Sequence, residues 1–318
     1  MVPWRPIVEC VPNVSEGRDA ARLTRMADAV CTTPDVTLAD VHADPDHHRA
    51  VFTLLGEPAA VGAAARALAE VVLAEVDMRR HRGVHPRIGA LDVLPFAPLV
   101  DATMPEMVAL AHETGRALAQ RHALPVYYYG EAAARPGRRT LRELRHGEYE
   151  GLAARLGIDD GRPDDGPARF DERRGALLVG ARDVLIAYNV WLASDDLDSA
   201  RAIAREVRTS GGGLPAVQAL GLPLTSRGRV QVSMNLLDHR VSPIPVVYDR
   251  VAEAAARRGI AIERGELVGL APRAAFAGRT PASVGLADFT AERELDTHLA
   301  RLAVGRGRED REDGRRGS

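Results

Sequence analysis

The sequence predicts an α/β protein of the α+β type: two ferredoxin-like, split βαβ subdomains with mixed sheets and helices packed on them. Three observations lead there. Strand-like and helix-like segments alternate along most of the 318 residues, yet two strand-like segments, 36–42 and 50–56, follow one another across a short polar connection, DPDHHR. The element order then restarts beyond a Gly-, Pro- and charge-rich stretch at 159–175, without any residue-level repeat. Apolar residues make up 46 % and aromatics only 4 %, so the cores must be built from Ala, Val and Leu.

Each element has a local reason. IVECV (7–11) reads as a strand and PNVSEG as the turn after it. Residues 18–31 place Ala21, Leu23, Met26, Ala29 and Val30 at helical spacing. VTLADVH (36–42) and AVFTLLG (50–56) form a hairpin, and the Ala-rich stretch 58–76 is a helix opened by Pro58. ALDVLPF (90–96) is a strand, 104–122 a helix and LPVYYYG (124–130) a strand. Tyr127, Tyr128 and Tyr129 alternate across it, so they cannot share one face. Residues 137–156 read as short helix.

The second half begins with the strand-rich GALLVGARDVLIAYNVWL (175–192), followed by a helix at 196–208. Ser210–Gly213 comes after that helix and before Leu214-Pro215, which makes it a helix stop in preference to an anion cradle. VQALGLPLT and RVQVSMNLLD are strands joined by SRGR. A helix over 243–258, the segment AIERGELVGLAP, a helix from about Pro272 and another around 290–303 complete the half. The expected division is 1–175, including the junction loop 159–175, then 176–304, then a disordered charged tail, 305–318.

Composition excludes several functions. All 42 basic residues are arginine; with no lysine there is no lysine Schiff base and no P-loop lysine. A net charge of −2 offers no case for nucleic acid or an anionic membrane. Cys10 and Cys31 make neither a disulfide framework nor a zinc ribbon. The N-terminus has no basic-then-apolar leader, and no apolar run reaches the roughly 20 residues that span a bilayer. The expectation is a cytoplasmic protein.

The stretch richest in chemistry is HRGVHPRIGALDVLPF (81–96). Pro86 biases His85 toward extended backbone, and Gly83 and Gly89 permit bends. An imidazole thus stands on a shaped loop between two guanidiniums at the mouth of a strand. His81 and His85 have the spacing of two zinc ligands on a helix, but Gly83 and Pro86 deny them the helix. Asp-Pro-Asp-His-His (44–48) contains ligand types for a metal, yet Asp and Pro are equally ordinary in a hairpin turn, and no metal is expected. Arg169, Arg173 and Arg174 form either a solvated charged loop or a grip for carboxylates.

Eight segments in order carry a resemblance: VECVPNVSEG (8–17), LADVHADPDHHRAVFTLLG (38–56), HRGVHPRIGALDVLPF (81–96), PVYYYGEAA (125–133), LRELRHGEYEGL (141–152), DDGPARFDERRGALLVGARDVLIAYNVWL (164–192), VQVSMNLLD (230–238) and ELVGLAP (266–272). Over nearly all of 7–276 the chain resembles the glutamate formimidoyltransferases, including the N-terminal part of formimidoyltransferase-cyclodeaminase. The resemblance implies transfer of the formimidoyl group of N-formimidoyl-L-glutamate to N5 of tetrahydrofolate, a step of histidine breakdown. It also implies two α/β subdomains with the folate between them, a homodimer, and a catalytic histidine at His85. The family's folate-binding stretch maps onto Gly166, Pro167, Ala168, Arg169, Phe170, Asp171, Glu172, Arg173, Arg174 and Gly175. Bifunctional relatives carry Glu where Val84 stands, and relatives often carry Asn where His48 stands. From the length of the chain, no cyclodeaminase reaction is expected.

Such a reaction needs a group that takes a proton from the attacking nitrogen and gives one to the leaving nitrogen, which suits histidine. The cationic amidine calls for a carboxylate; Asp40, Asp44, Glu16 and Glu266 are candidates. Arg49 and Arg87 are candidate clamps for substrate carboxylates or, equally, structural ion-pair partners. Alternatives are formyl transfer from N-formylglutamate, a folate-binding protein without turnover, and a metal-dependent hydrolase using the 44–48 turn.

Overall fold

The computed structural model describes residues 5–304. The chain divides into two compact units: one runs to Val184 and takes in Pro223–Gly228, the other comprises Leu185–Leu222 and the residues from Arg229 on.

In the first unit, β1 (Ile7–Cys10), β2 (Asn13–Val14), β3 (Val36–Asp44), β4 (Arg49–Gly56), β5 (Leu91–Val100), β6 (Val126–Gly130) and β7 (Leu177–Ala181) form one sheet of seven described strands. β1 and β2 behave as one interrupted strand between β4 and β5, antiparallel to both. Pro12 sits at the interruption; it has no N–H to give, but its carbonyl accepts from Phe52 at 2.9 Å. β3 lies outside β4, antiparallel. With α1 (Ala20–Cys31) and α2 (Pro58–Glu75) as crossovers, this is the split βαβ pattern read from the sequence. β7 then pairs parallel with β5, and β6 parallel with β7, so the sheet is mixed.

Helix ends follow local chemistry. Asp19 caps α1 by accepting from the Arg22 N–H, and Pro58 opens α2. Thr103 and Glu106 form a capping box at α3 (Met104–His122), and Thr140 and Glu143 another at α4 (Leu141–Leu144); α5 (Leu152–Leu156) follows. The main core includes Met26, Phe52, Leu68, Leu94, Leu118 and Tyr128. A smaller cluster with Ile88, Val93, Tyr127, Tyr129, Leu144 and Leu152 forms a separate core. The three tyrosines therefore divide between two clusters, as strand alternation requires.

The second unit has a four-stranded sheet in the order β11-β8-β10-β9 among the described residues. Its strands are β8 (Ile186–Leu192), β9 (Val217–Leu224), β10 (Arg229–Leu236) and β11 (Ile262–Val268), with α6 (Leu197–Val207) and α7 (Ile244–Ala256) as crossovers. β8 is antiparallel to β10 and β11. Both units thus share the strand-helix-strand-strand-helix-strand order. The fold is α+β with ferredoxin-like connectivity, as the sequence predicts.

Three local expectations change. The turn read at 12–17 contains β2, and 137–156 holds two short helices separated by a turn. The helix expected from Pro272 is only a 3₁₀ turn, Arg273–Phe276, because Ala277 takes a left-handed backbone with φ 47°. Residues 295–304 are helical. The charged tail expected at 305–318 lies outside the described residues.

Gly89 shows how tightly the first unit closes around the 81–89 loop. A Cβ there would sit 2.0 Å from the Ala176 carbonyl oxygen, a backbone atom that cannot swing aside. Gly89→Ala is expected to lower stability by about 1–3 kcal/mol, read by urea unfolding; an unchanged midpoint would contradict the packing.

Candidate active site

The 81–89 loop is built around two histidines whose protons are fixed by their neighbours. His81 is buried, with one ring nitrogen (Nε2) 2.8 Å from the His48 carbonyl and the other (Nδ1) 3.2 Å from Arg87 Nε. A carbonyl only accepts and a guanidinium N–H only donates, so Nε2 carries the proton and Nδ1 the lone pair. Burial, followed by the cations around it, lowers its pKa to about 4. Its ring stacks on His48 at 4.3 Å. His48 has φ 50°, a left-handed conformation that Asn tolerates more readily than His. Gly83 passes so close to this turn that a Cβ would meet the His47 carbonyl oxygen at 2.1 Å.

His85 is half-buried, its ring centroid 5.6 Å from that of His47. Its Nδ1 donates to the Pro86 carbonyl at 2.8 Å. In the neutral ring the lone pair is therefore on Nε2, which makes no hydrogen bond to a described residue. Burial first, then the charges of Arg49, Arg145 and His47, hold its pKa well below the ordinary 6.5. The ring is a neutral base at physiological pH.

Asp92, fully buried on β5, anchors this arrangement. It accepts from Ile88 N at 2.7 Å, from Arg49 Nη1 at 2.9 Å and from Arg145 Nη2. Burial alone would raise its pKa; Arg145 and Arg49 outweigh it and keep the carboxyl below its usual range. Arg49 also donates to Asn13 Oδ1 from Nε (3.0 Å) and Nη2 (2.6 Å). Arg87 is engaged as well: Nη1 and Nη2 meet Glu150 at 2.8 and 2.6 Å, and Nη1 meets Glu148 at 3.2 Å. Both candidate clamps thus sit in ion pairs.

The 44–48 turn packs against the loop. Asp44 accepts from the backbone N–H of Asp46 and His47 at 2.8 and 2.7 Å, and Val84 N donates to the Asp46 carbonyl at 3.2 Å. Within the same unit, Asp46 accepts from Ser226 N and Oγ, and Asp44 from Arg227. Glu16 accepts from Gly17 N, Arg18 N, Asp19 N and Arg22. Burial would raise its pKa, but those bonds and the His48 ring hold it far below the carboxylate range. Asp40 lies on β3 opposite Thr53, and Glu266 lies on β11 in the second unit, accepting from Asn189 and Trp191 at 2.9 and 3.2 Å.

The 166–175 segment ends against the His85 loop. Gly175 bridges Gly89, Ala90 N donates to the Arg174 carbonyl at 2.9 Å, and Ala176 N to the Ile88 carbonyl at 3.1 Å. Asp171 closes the segment by accepting from Arg173 N, Arg174 N and Arg174 Nε. Phe170 packs on Tyr149 at 5.4 Å, and the Tyr149 hydroxyl donates to the Glu172 carbonyl. Gly166, Pro167, Ala168 and Arg169 are exposed or half-buried.

A cleft of ≈ 540 Å³ opens beside the loop, lined by Arg82, Gly83, Arg87, Arg145, Gly147, Glu148 and Glu150. Asp92, Arg145, Glu148 and Glu150 escaped the sequence reading. Asp92 carried a signal: it is the one charge inside ALDVLPF, and a carboxylate in an apolar strand needs partners. Among the described residues no group of three or more His, Cys, Asp or Glu is placed to hold a metal ion.

The chain matches the formiminotransferase domain, N-terminal subdomain, over residues 7–182, and the formiminotransferase domain over 187–282. It belongs to the formiminotransferase family. It is similar to the glutamate formimidoyltransferase of Thermoplasma acidophilum, 41 % identical over 85 % of this chain and 89 % of the relative. The one of Streptococcus pyogenes serotype M1 is 35 % identical over 92 % and 98 %. The formimidoyltransferase-cyclodeaminase of Gallus gallus is 41 % identical over 85 % of this chain and 51 % of the relative, so the chain spans about half of that bifunctional protein. As a member of the family the protein is an enzyme, a transferase. Among the described residues no helix is long and apolar enough to cross a membrane.

Two outcomes follow from the buried charges. Asp92→Asn leaves Arg49 and Arg145 under-compensated and should cost about 3–5 kcal/mol in urea unfolding; a loss below ~1 kcal/mol would remove Asp92 as the anchor. His81 has a lowered folded pKa, so the unfolded chain binds the proton first as pH falls. Stability should drop between pH 6.5 and 4, by roughly 3 kcal/mol in the acid limit from this group. The pH dependence of the melting temperature over that range should flatten in His81→Gln; equal slopes would contradict the assignment.

Proposed function

We propose that the protein transfers the formimidoyl group of N-formimidoyl-L-glutamate to N5 of tetrahydrofolate, yielding 5-formimidoyltetrahydrofolate and L-glutamate, a step of histidine breakdown. The observation that carries the mechanism is the state of His85. Its Nδ1–H is committed to Pro86, and its pKa is depressed, so Nε2 presents a lone pair at neutral pH. That nitrogen takes the proton from N5 as N5 attacks the amidine carbon. It returns the proton to the glutamate nitrogen as the tetrahedral intermediate collapses. One group serving both steps needs the two nitrogens within reach in turn, which alignment of the two substrates provides.

The folate is assigned to the 166–175 segment. The reading is supported by that segment's backbone bonds to residues 88–90, a few positions from His85. Arg169 is exposed and makes no hydrogen bond to a described residue, which suits a folate carboxylate. In this reading Arg49 shapes and charges the site without touching substrate, and Glu16 and Asp44 hold the walls in place. The two cysteines are free thiols, in keeping with a cytoplasmic enzyme.

The test is incubation with both substrates, following the ultraviolet change of the substituted folate. His85→Gln should lower kcat by about 10²–10⁴-fold while folate binding is kept; near wild-type turnover would remove His85 from the mechanism. Because burial and neighbouring cations lower the His85 pKa, kcat/KM should stay level from pH 8 down to 6.5. It should fall only at more acid pH, and a limb centred at or above 7 would contradict a depressed base.

A further inference from the structure

Three guanidiniums, Arg82, Arg87 and Arg145, and two carboxylates, Glu148 and Glu150, face the ≈ 540 Å³ cleft. They are not equally engaged. Arg87 spends its fork on Glu150 and its Nε on His81. Arg82 uses only Nη1, on the carbonyls of Arg79 (3.3 Å) and His81 (2.6 Å); its Nε and Nη2 have no hydrogen bond to a described residue. Arg145 uses Nη2 on Asp92, and its Nε is buried without a partner. Glu148 touches Arg87 at 3.2 Å, a longer contact than either Glu150 bond.

The backbone under Glu148 is unusual. Gly147 and Glu148 are both left-handed, at φ 77° and 52°, and Glu148 N closes the turn on the Arg145 carbonyl at 2.8 Å. A side chain other than Gly, Asn or Asp in that region is strained, and such strain collects where a site needs a residue aimed. Gly83 and Arg87 flank His85 in sequence, and the Arg145 charge is among those acting on its ring. His85 does not itself line the cleft, but the cleft shares the loop that carries the base.

We propose that this cleft is the subsite of the amidine donor. Arg82 and Arg145 receive its two carboxylates, and Glu148 faces the cationic formimidoyl group and selects it over an uncharged formyl group. This rests on the transferase reading above and assigns its donor side. The charges match: the lining has one guanidinium in excess, and a dicarboxylate carrying one amidinium has one negative charge in excess. The cleft volume falls in the usual range for a small ligand. A carboxylate left facing a neutral formyl group loses its cation, which is the stronger form of discrimination.

Arg82 is exposed and Glu148 partly so, which lets both be changed without disturbing the core. Arg82→Gln should raise the KM for N-formimidoyl-L-glutamate about tenfold or more while the KM for tetrahydrofolate moves less than about twofold. Glu148→Gln should lower the ratio of kcat/KM for the formimidoyl over the formyl donor by about tenfold. Normal turnover with an unchanged donor KM in Arg82→Gln, or an unchanged donor ratio in Glu148→Gln, overturns the subsite and leaves the transferase reading standing. No turnover in the wild type sinks that reading instead; calorimetry then decides the cleft alone, where N-formimidoyl-L-glutamate binding to wild type but not to Arg82→Gln supports it, and equal or absent binding overturns it.

Discussion

The first unit is organised around one buried carboxylate. Asp92 has no exposed surface, and its two oxygens hold a loop N–H and two guanidiniums that arrive from β4 and from the end of α4. Remove the negative charge and the positive ones have no reason to be buried. With it in place, Arg49 can tie β2 to β4 through Asn13, Arg145 can turn toward the cleft, and Ile88 can end the loop. The cluster does more than hold the fold. Burial does most to keep the His85 ring neutral, and the charges of Arg49 and Arg145 in this cluster add to it.

A second constraint comes from hydrogen-bond direction. Every nitrogen of His81 and one nitrogen of His85 meets a partner of fixed polarity. The loop therefore has one proton arrangement, with one basic nitrogen left over. A water-exposed histidine would exchange tautomers freely. Here Pro86 is useful twice: its ring fixes the backbone, and its carbonyl receives the proton that decides where the lone pair sits.

The alternating element order was legible because the hairpin at 36–56 carries turn residues and each crossover helix carries a start signal. β2 was not, since two residues after Pro12 have no periodicity to read. The 3₁₀ turn at Arg273–Phe276 was misread as helix because Ala-Ala-Phe has helical propensity; the stop comes from the backbone of Ala277, a residue with no stop signal of its own. The loop around His85 was legible from Gly83, Pro86 and Gly89. The engagement of Arg49 and Arg87 was not. Their carboxylate partners stand 43 and 63 positions along the chain, and nothing local marks such a pair. Glu148 was hidden for another reason: only its φ angle distinguishes it from the ordinary charges of a surface turn.

The cations around the cleft are all guanidiniums, because the chain has no lysine at all. An ammonium of ordinary pKa always releases a small fraction of free amine, and a free amine beside an activated amidine carbon is a competing acceptor. It would be capped by the cargo meant for the pterin, and the pocket would slowly silence itself. A guanidinium has no free lone pair below about pH 12, so it can lie against the electrophile indefinitely. On the proposed donor assignment, the walls of this cleft are chemically deaf to the group placed against them.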